Sequence, residues 1–239
     1  MVLYVHGGPW SRDYWGYDGT AQWLANRGYV CLQVNFRGSW GYGKDFVNAG
    51  DKEWAGKMHD DLIDAVDWVV QQGYANPEKV AIYGGSYGGY AALVGATFTP
   101  DVFCCAVDTF GISNLVTWIE SFPPYGSMWL AMFHKRIGNP DTEEEFLKSR
   151  SPLFKVDQIR IPILIGQGAN DPWVKHAESE QIVEAMKKKG LEYEYILFED
   201  EGHGFAKPEN RLKFFAAAEK FLAKHLGARY EEAVESSEQ

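Results

Sequence analysis

Cysteine is scarce: three residues in 239, an odd number, with Cys104 and Cys105 adjacent inside an apolar run. That pattern excludes a disulfide-stapled scaffold and points to a reducing, cytoplasmic setting. Long hydrophobic runs are also missing, since none approaches the ~20 residues that a membrane-crossing helix needs. No signal-peptide pattern is expected either, because Met1 and Val2 lead directly into Val5 and His6-Gly7-Gly8-Pro9. Positive charge falls short of negative, with 23 Lys and Arg against 33 Asp and Glu and a net charge of −10. The electrostatic footprint of a nucleic-acid or anionic-membrane partner is therefore absent. The six histidines show neither H-E-x-x-H nor paired-cysteine spacing, so no metal site is predicted. What remains is 46% hydrophobic and 15% aromatic, too apolar for disorder and enough for one large core.

Short apolar runs alternate with longer amphipathic ones, as in β-α-β units around a parallel sheet. The predicted strands cover 2–5, 29–36, 79–83, 103–109, 161–166 and 193–198, all rich in branched or aromatic residues. Between them Leu62, Val66, Val69 and Val70 recur at helical spacing, as do Ile182, Val183 and Met186, and Leu212, Phe215, Leu222 and Leu226. The expected fold class is α/β, a mostly parallel sheet of about six strands with helices on both faces. Residues 111–152 break the rhythm with Pro123, Pro124, Gly126 and a cluster of aromatic side chains, and read as a small inserted lid. No repeat or low-complexity linker divides the chain, so one domain is expected over 1–228. The acidic end, 229–239 with Glu231, Glu232, Glu235 and Glu238, is expected to fray.

The strongest local signal is Gly84-Gly85-Ser86-Tyr87-Gly88-Gly89, a G-x-S-x-G motif between an apolar run and a helix-like segment. Glycines there let strand and helix cross closely while the turn projects the Ser86 hydroxyl outward. A nucleophilic serine needs a base, and the base a carboxylate to orient it, in the order Ser, Asp, His. Asp171 follows the fifth predicted strand in Asn170-Asp171-Pro172, and His203 follows the sixth in Glu201-Gly202-His203-Gly204-Phe205. The Tyr87 amide at the helix start and the Gly8 amide after the first strand are the candidate oxyanion hole. His6 reads as a loop-ordering residue, since His203 already fills the base position, and His176 as a surface histidine. Lys187, Lys188 and Lys189 read as a solvated helix end capped by Gly190.

Five blocks occur in one order: His6-Gly7-Gly8-Pro9, then Asn35-Phe36-Arg37-Gly38-Ser39 with Gly41-Tyr42-Gly43, then Gly84 to Tyr90, then Asn170-Asp171-Pro172, then Gly202-His203-Gly204-Phe205. Together they resemble the catalytic domain of the prolyl oligopeptidase family, in its acylaminoacyl-peptidase-like branch. The resemblance implies an α/β-hydrolase fold, no metal or organic cofactor, and hydrolysis of esters or peptides through an acyl-serine.

Two departures from that pattern shape the expected substrate. Family members usually carry an N-terminal β-propeller that screens large substrates, and the first block follows Met1 too closely for one to precede it. Secondly, the family often has an arginine two residues after the catalytic aspartate, where this sequence has Trp173. An indole cannot make bidentate charged hydrogen bonds, and it adds apolar surface. The expectation is therefore a serine hydrolase of carboxylic esters first, extending to short peptides or acyl-aminoacyl amides; the alternative is a propeller-less serine peptidase, an aminopeptidase or acylaminoacyl peptidase, and behind it a non-catalytic binding protein on the same fold. Trp118, Phe122, Met128, Trp129 and Trp173 are the candidate pocket walls, since the segment after the fourth strand emerges where such folds bind ligands. By the same resemblance the two strands that precede the first block in the family are expected to be absent here, so the strand from Tyr29 to Phe36 is expected at an exposed edge that invites homo-oligomerisation.

Overall fold

Gly, Pro and Asn punctuation cuts the chain into the elements β1 (Val2–Val5), α1 (Gly19–Asn26), β2 (Cys31–Gln33), α2 (Lys44–Asn48), α3 (Lys57–Gln71), β3 (Ala81–Gly85), α4 (Tyr87–Phe98) and β4 (Cys105–Thr109). They continue with α5 (Leu115–Glu120), α6 (Ser127–Arg136), α7 (Pro140–Ser149), a 3-10 segment Pro152–Gln158, β5 (Ile163–Gly168), α8 (His176–Lys188), β6 (Tyr193–Phe198) and α9 (Pro208–Leu226). This computed structural model describes residues 1–122 and 127–232, with the backbone alone at 127 and 128. The strands form a parallel sheet in the order β2-β1-β3-β4-β5-β6. The chain adds β2 on one side of β1 and then crosses to add β3 on the other. That reversal falls between β1 and β3, and open α/β sheets bind ligands beyond the C-terminal ends of the strands at such a point.

Alternation along the strands sorts the apolar side chains between two faces. Leu3, Val5, Ile82, Ala106, Ile163 and Ile165 face α3, α4 and α8, where Leu62, Val66, Leu93, Val94, Ile182 and Met186 meet them. Val2, Ala81, Tyr83, Cys105, Val107 and Leu164 face α1 and α9, meeting Leu24, Phe214, Ala218, Phe221 and Leu222. Helix α4 is buried from Tyr87 through Thr97, so its sequence is apolar all round rather than on one stripe.

The bounds of four strands differ from the sequence-based expectation, β2, β3 and β5 at both ends and β4 at its start. Strand β2 has three residues, not eight, because the chain leaves the sheet after Gln33 and Asn35 turns to bond the Asp13 carbonyl and the Tyr42 hydroxyl. The strand does lie at the end of the sheet order, but its short ladder offers little for edge-to-edge pairing. Strands β3 and β5 run on through Gly84–Gly85 and Gly168, where glycine marks close contact and not a strand end. In the 111–152 segment, Ile112, Leu115, Trp118, Ile119, Phe133, Ile137 and Leu147 belong to the same core as the sheet. At the acidic end, Arg229 donates to the Asn26 carbonyl and Glu231 lies 3.3 Å from Arg27, while 233–239 lie outside the described residues.

Candidate active site

At the end of β3 the backbone turns sharply into α4, and Ser86 sits on the turn with φ 59° and ψ −120°. A non-glycine residue there carries strain of order 1–3 kcal/mol, tolerated only where the surroundings over-determine it. Close approach does so here. A Cβ on Gly88 would lie 2.1 Å from the Val5 carbonyl oxygen, and one on Gly84 2.6 Å from the Gly88 backbone. The Ser86 amide donates to the Thr109 carbonyl at 3.0 Å, and the Tyr90 amide to the Ser86 carbonyl at 2.9 Å, pinning the turn from both sides. The Ser86 side chain does not cap α4, so the first-turn amides, Tyr87 among them, are left for another acceptor.

The loop after β1 lies against this turn. A Cβ on Gly7 would meet the Gly85 carbonyl oxygen at 3.1 Å and the Ser86 Cβ at 3.4 Å, and Gly8 has a left-handed φ of 118°. His6 stacks on Phe36 at 4.5 Å and holds the loop in place. Its Nδ1 donates to the Gly7 carbonyl at 2.8 Å, which leaves Nε2 to accept from the buried Ser39 hydroxyl at 3.0 Å. Burial pushes its pKa down, in keeping with a neutral loop-ordering ring.

Asp171 and His203 arrive from the loops after β5 and β6. Asp171 is 2% exposed, and its Oδ1 accepts from the Trp173 and Val174 amides at 2.8 and 2.9 Å. Its other oxygen, Oδ2, lies 2.7 Å from His203 Nδ1, which fixes the imidazole with Nε2 free to act. The ring of Phe110 packs on His203 at 4.8 Å and would crowd any side chain on Gly85, so it bridges the elbow and the histidine. Phe110 itself holds a positive φ of 44°, a second strained residue within the site.

Of the candidate pocket residues, Trp129 and Trp173 are the open ones, at 45% and 47% exposure, and they meet edge-on at 6.1 Å. Trp118 lies instead in the core at 7% exposure, packed on Trp54 and Phe133, with its indole N–H donating to the Trp173 carbonyl at 3.0 Å. Phe122 is partly buried between Trp118 and Phe133, and the Met128 side chain falls outside the described residues. Three residues that the sequence did not single out brace the site. Trp54, 2% exposed, packs on Tyr87 and Tyr90 behind the elbow. Glu178 accepts from the Ser113 and Asn114 amides and the Thr117 hydroxyl, tying α8 to α5. Asp108 is fully buried in a notch between Gly89 and Gly111, without a hydrogen bond of normal geometry, and burial pushes it up to about 7. No sequence pattern marks these three, since apart from Gly111 beside Asp108 their partners are distant along the chain.

A parallel sheet carrying a strained serine between strand and helix, with an aspartate-histidine pair on the next loops, defines an α/β-hydrolase. The prolyl oligopeptidase family profile matches residues 15–229, and the chain belongs to that family of serine peptidases. It is 60% identical over 233 residues to dipeptidyl aminopeptidase BIII of Pseudoxanthomonas mexicana, covering 97% of this chain and 34% of that protein. It is 50% identical over 230 residues to dipeptidyl peptidase family member 6 of Caenorhabditis elegans, covering 95% of this chain and 31% of the relative. Among solved structures, a puromycin-hydrolyzing peptidase of Mycobacterium tuberculosis superposes with a TM-score of 0.89 at 35% identity, over 95% of this chain and 34% of that one. The chain thus spans about a third of the length of the relatives it matches.

Proposed function

We propose that the chain is the catalytic unit of a serine exopeptidase that removes dipeptides from the free amino end of peptides. The observation that carries the reaction type is the 2.7 Å Asp171–His203 contact on the sheet edge that also presents the strained Ser86. His203 takes the Ser86 hydroxyl proton as the oxygen attacks the peptide carbonyl, while Asp171 holds the tautomer and stabilises the imidazolium. The Gly8 and Tyr87 amides meet the developing oxyanion. His203 then returns the proton to the leaving amine, and water releases the acyl group by the same path.

The high identity to a dipeptidyl aminopeptidase supports peptide over ester substrates, reversing the order expected from the sequence. The test is a panel of dipeptidyl nitroanilides with free amino ends, N-acylaminoacyl nitroanilides and short-acyl p-nitrophenyl esters. Dipeptidyl amides should give the highest kcat/KM, and Ser86→Ala should abolish turnover of all three. Turnover confined to the esters would overturn the peptidase reading.

A further inference from the structure

The loop that delivers the histidine has little stiffness of its own. Residues 199–207 between β6 and α9 place a glycine on each side of His203, and Gly204 takes a left-handed φ of 129°. An imidazole on such a segment keeps one position only if the loop is tied elsewhere, because misplacement by about 1 Å costs on the order of 100-fold in rate.

The tie is Glu201. It is 3% exposed, and its carboxylate turns inward to accept from the Ala206 and Lys207 amides and from Asn210 Nδ2, each at 2.9 Å. These three bonds draw the far limb of the loop back onto its start, with His203 at the apex. The Glu201 backbone faces the other way: its carbonyl accepts from the Asn170 amide at 2.9 Å, one residue before Asp171. The Asn170 side chain adds a bond to the Glu199 carbonyl at 2.7 Å. A Cβ on Gly168 would come within 2.7 Å of the Glu201 carbonyl oxygen, so contact between the two loops excludes any side chain there. Burial acts to raise the Glu201 pKa, but the bonds from Asn210 and the two amides overcome it and hold the pKa below the ordinary value. The group is thus anionic throughout the neutral range, next to the amino end of α9, where a negative charge is favoured.

We propose that Glu201 is the positioning residue of the acid-base pair, locking the His203 loop onto the Asp171 loop so that the 2.7 Å contact between them is preformed. It touches no reacting atom and acts through His203, so the inference rests on His203 being the base. The experiment uses the full chain with Glu201→Ala, Glu201→Gln and Asn210→Ala. Active sites are titrated with a fluorophosphonate, kcat and KM are measured per titrated site, and the low-field imidazole N–H resonance is recorded by NMR.

The expected result for Glu201→Ala is a fall of about 10- to 100-fold in kcat per site, with KM changed less than about threefold. The low-field resonance should broaden or vanish. Glu201→Gln keeps one acceptor and should fall in between, and Asn210→Ala should lose less again. A purely structural role would lower the number of titratable sites while leaving kcat per site and the resonance intact, and that outcome overturns the proposal. Should Glu201→Ala fail to fold, the Gln and Asn210→Ala variants decide by the same criterion. A parent chain that does not label at Ser86 would overturn the hydrolase reading instead, and this inference with it.

Discussion

The elbow at Ser86 and the aromatic layer of α5 and α6 border the same sheet edge, yet they are held by opposite means. At the elbow the constraint is backbone against backbone, with Gly84 and Gly88 packed where one added methyl group would meet main-chain atoms at 2.6 and 2.1 Å. In the aromatic layer the constraint is ring against ring, with Trp118, Phe122 and Phe133 sharing contacts at centroid distances of 5.0–5.4 Å. Backbone contacts tolerate no exchange of residue type, whereas ring packing tolerates volume-conserving swaps. The candidate catalytic residues therefore sit on the inflexible region, beside an adaptable one.

That contrast can be broken or sharpened in order of expected effect. Ser86→Ala should cut turnover of a peptide nitroanilide by about four to six orders of magnitude with thermal melting unchanged. Gly88→Ala should destabilise the fold by about 3 kcal/mol or more, since its Cβ would lie 2.1 Å from the Val5 oxygen; denaturant melts check this. Melting of Trp118→Ala should show a comparable loss of about 3–5 kcal/mol, from cavity formation rather than collision. At the exposed Trp129 the same truncation should cost under about 1 kcal/mol and appear as a KM change of a few-fold.

Asp108 adds a pH-dependent member of the elbow set. Its folded pKa of about 7 lies above the unfolded value of 3.8, so the native state binds the proton more tightly. Its contribution is fully present below pH 3.8 and is lost as pH rises through about 7. Asp108→Asn should remove that loss, so the melting temperature of the variant relative to the parent should climb between pH 5 and pH 8. A flat difference would place the titration elsewhere.

All six strands were legible in the sequence: β1, β3, β4 and β5, buried on both faces, read as apolar runs, and the half-buried end strands β2 and β6 keep enough apolar and aromatic residues to do the same. Their ends were not, where glycine was read as a breaker. Gly166 and Gly168 are required inside β5 because a Cβ would meet the Phe214 ring at 2.3 Å and the Gly202 carbonyl at 2.3 Å. The pairing of Asp171 with His203 was legible from order and context, while Glu201 was not, since its bonds to Ala206, Lys207 and Asn210 exist only once the loop has closed. Among the aromatic residues, composition marked the cluster but could not separate the buried Trp118 from the open Trp129 and Trp173.

By itself, then, the sequence determined the alternation of strand and helix and the order of the serine, aspartate and histidine motifs, because apolar periodicity and glycine spacing are local properties. Only the tertiary structure decided which aromatic rings line open surface, how short the β2 edge is, and which buried carboxylate holds the histidine loop. Those depend on groups far apart in the chain meeting in space, where burial and hydrogen-bond geometry, not residue type, set the outcome.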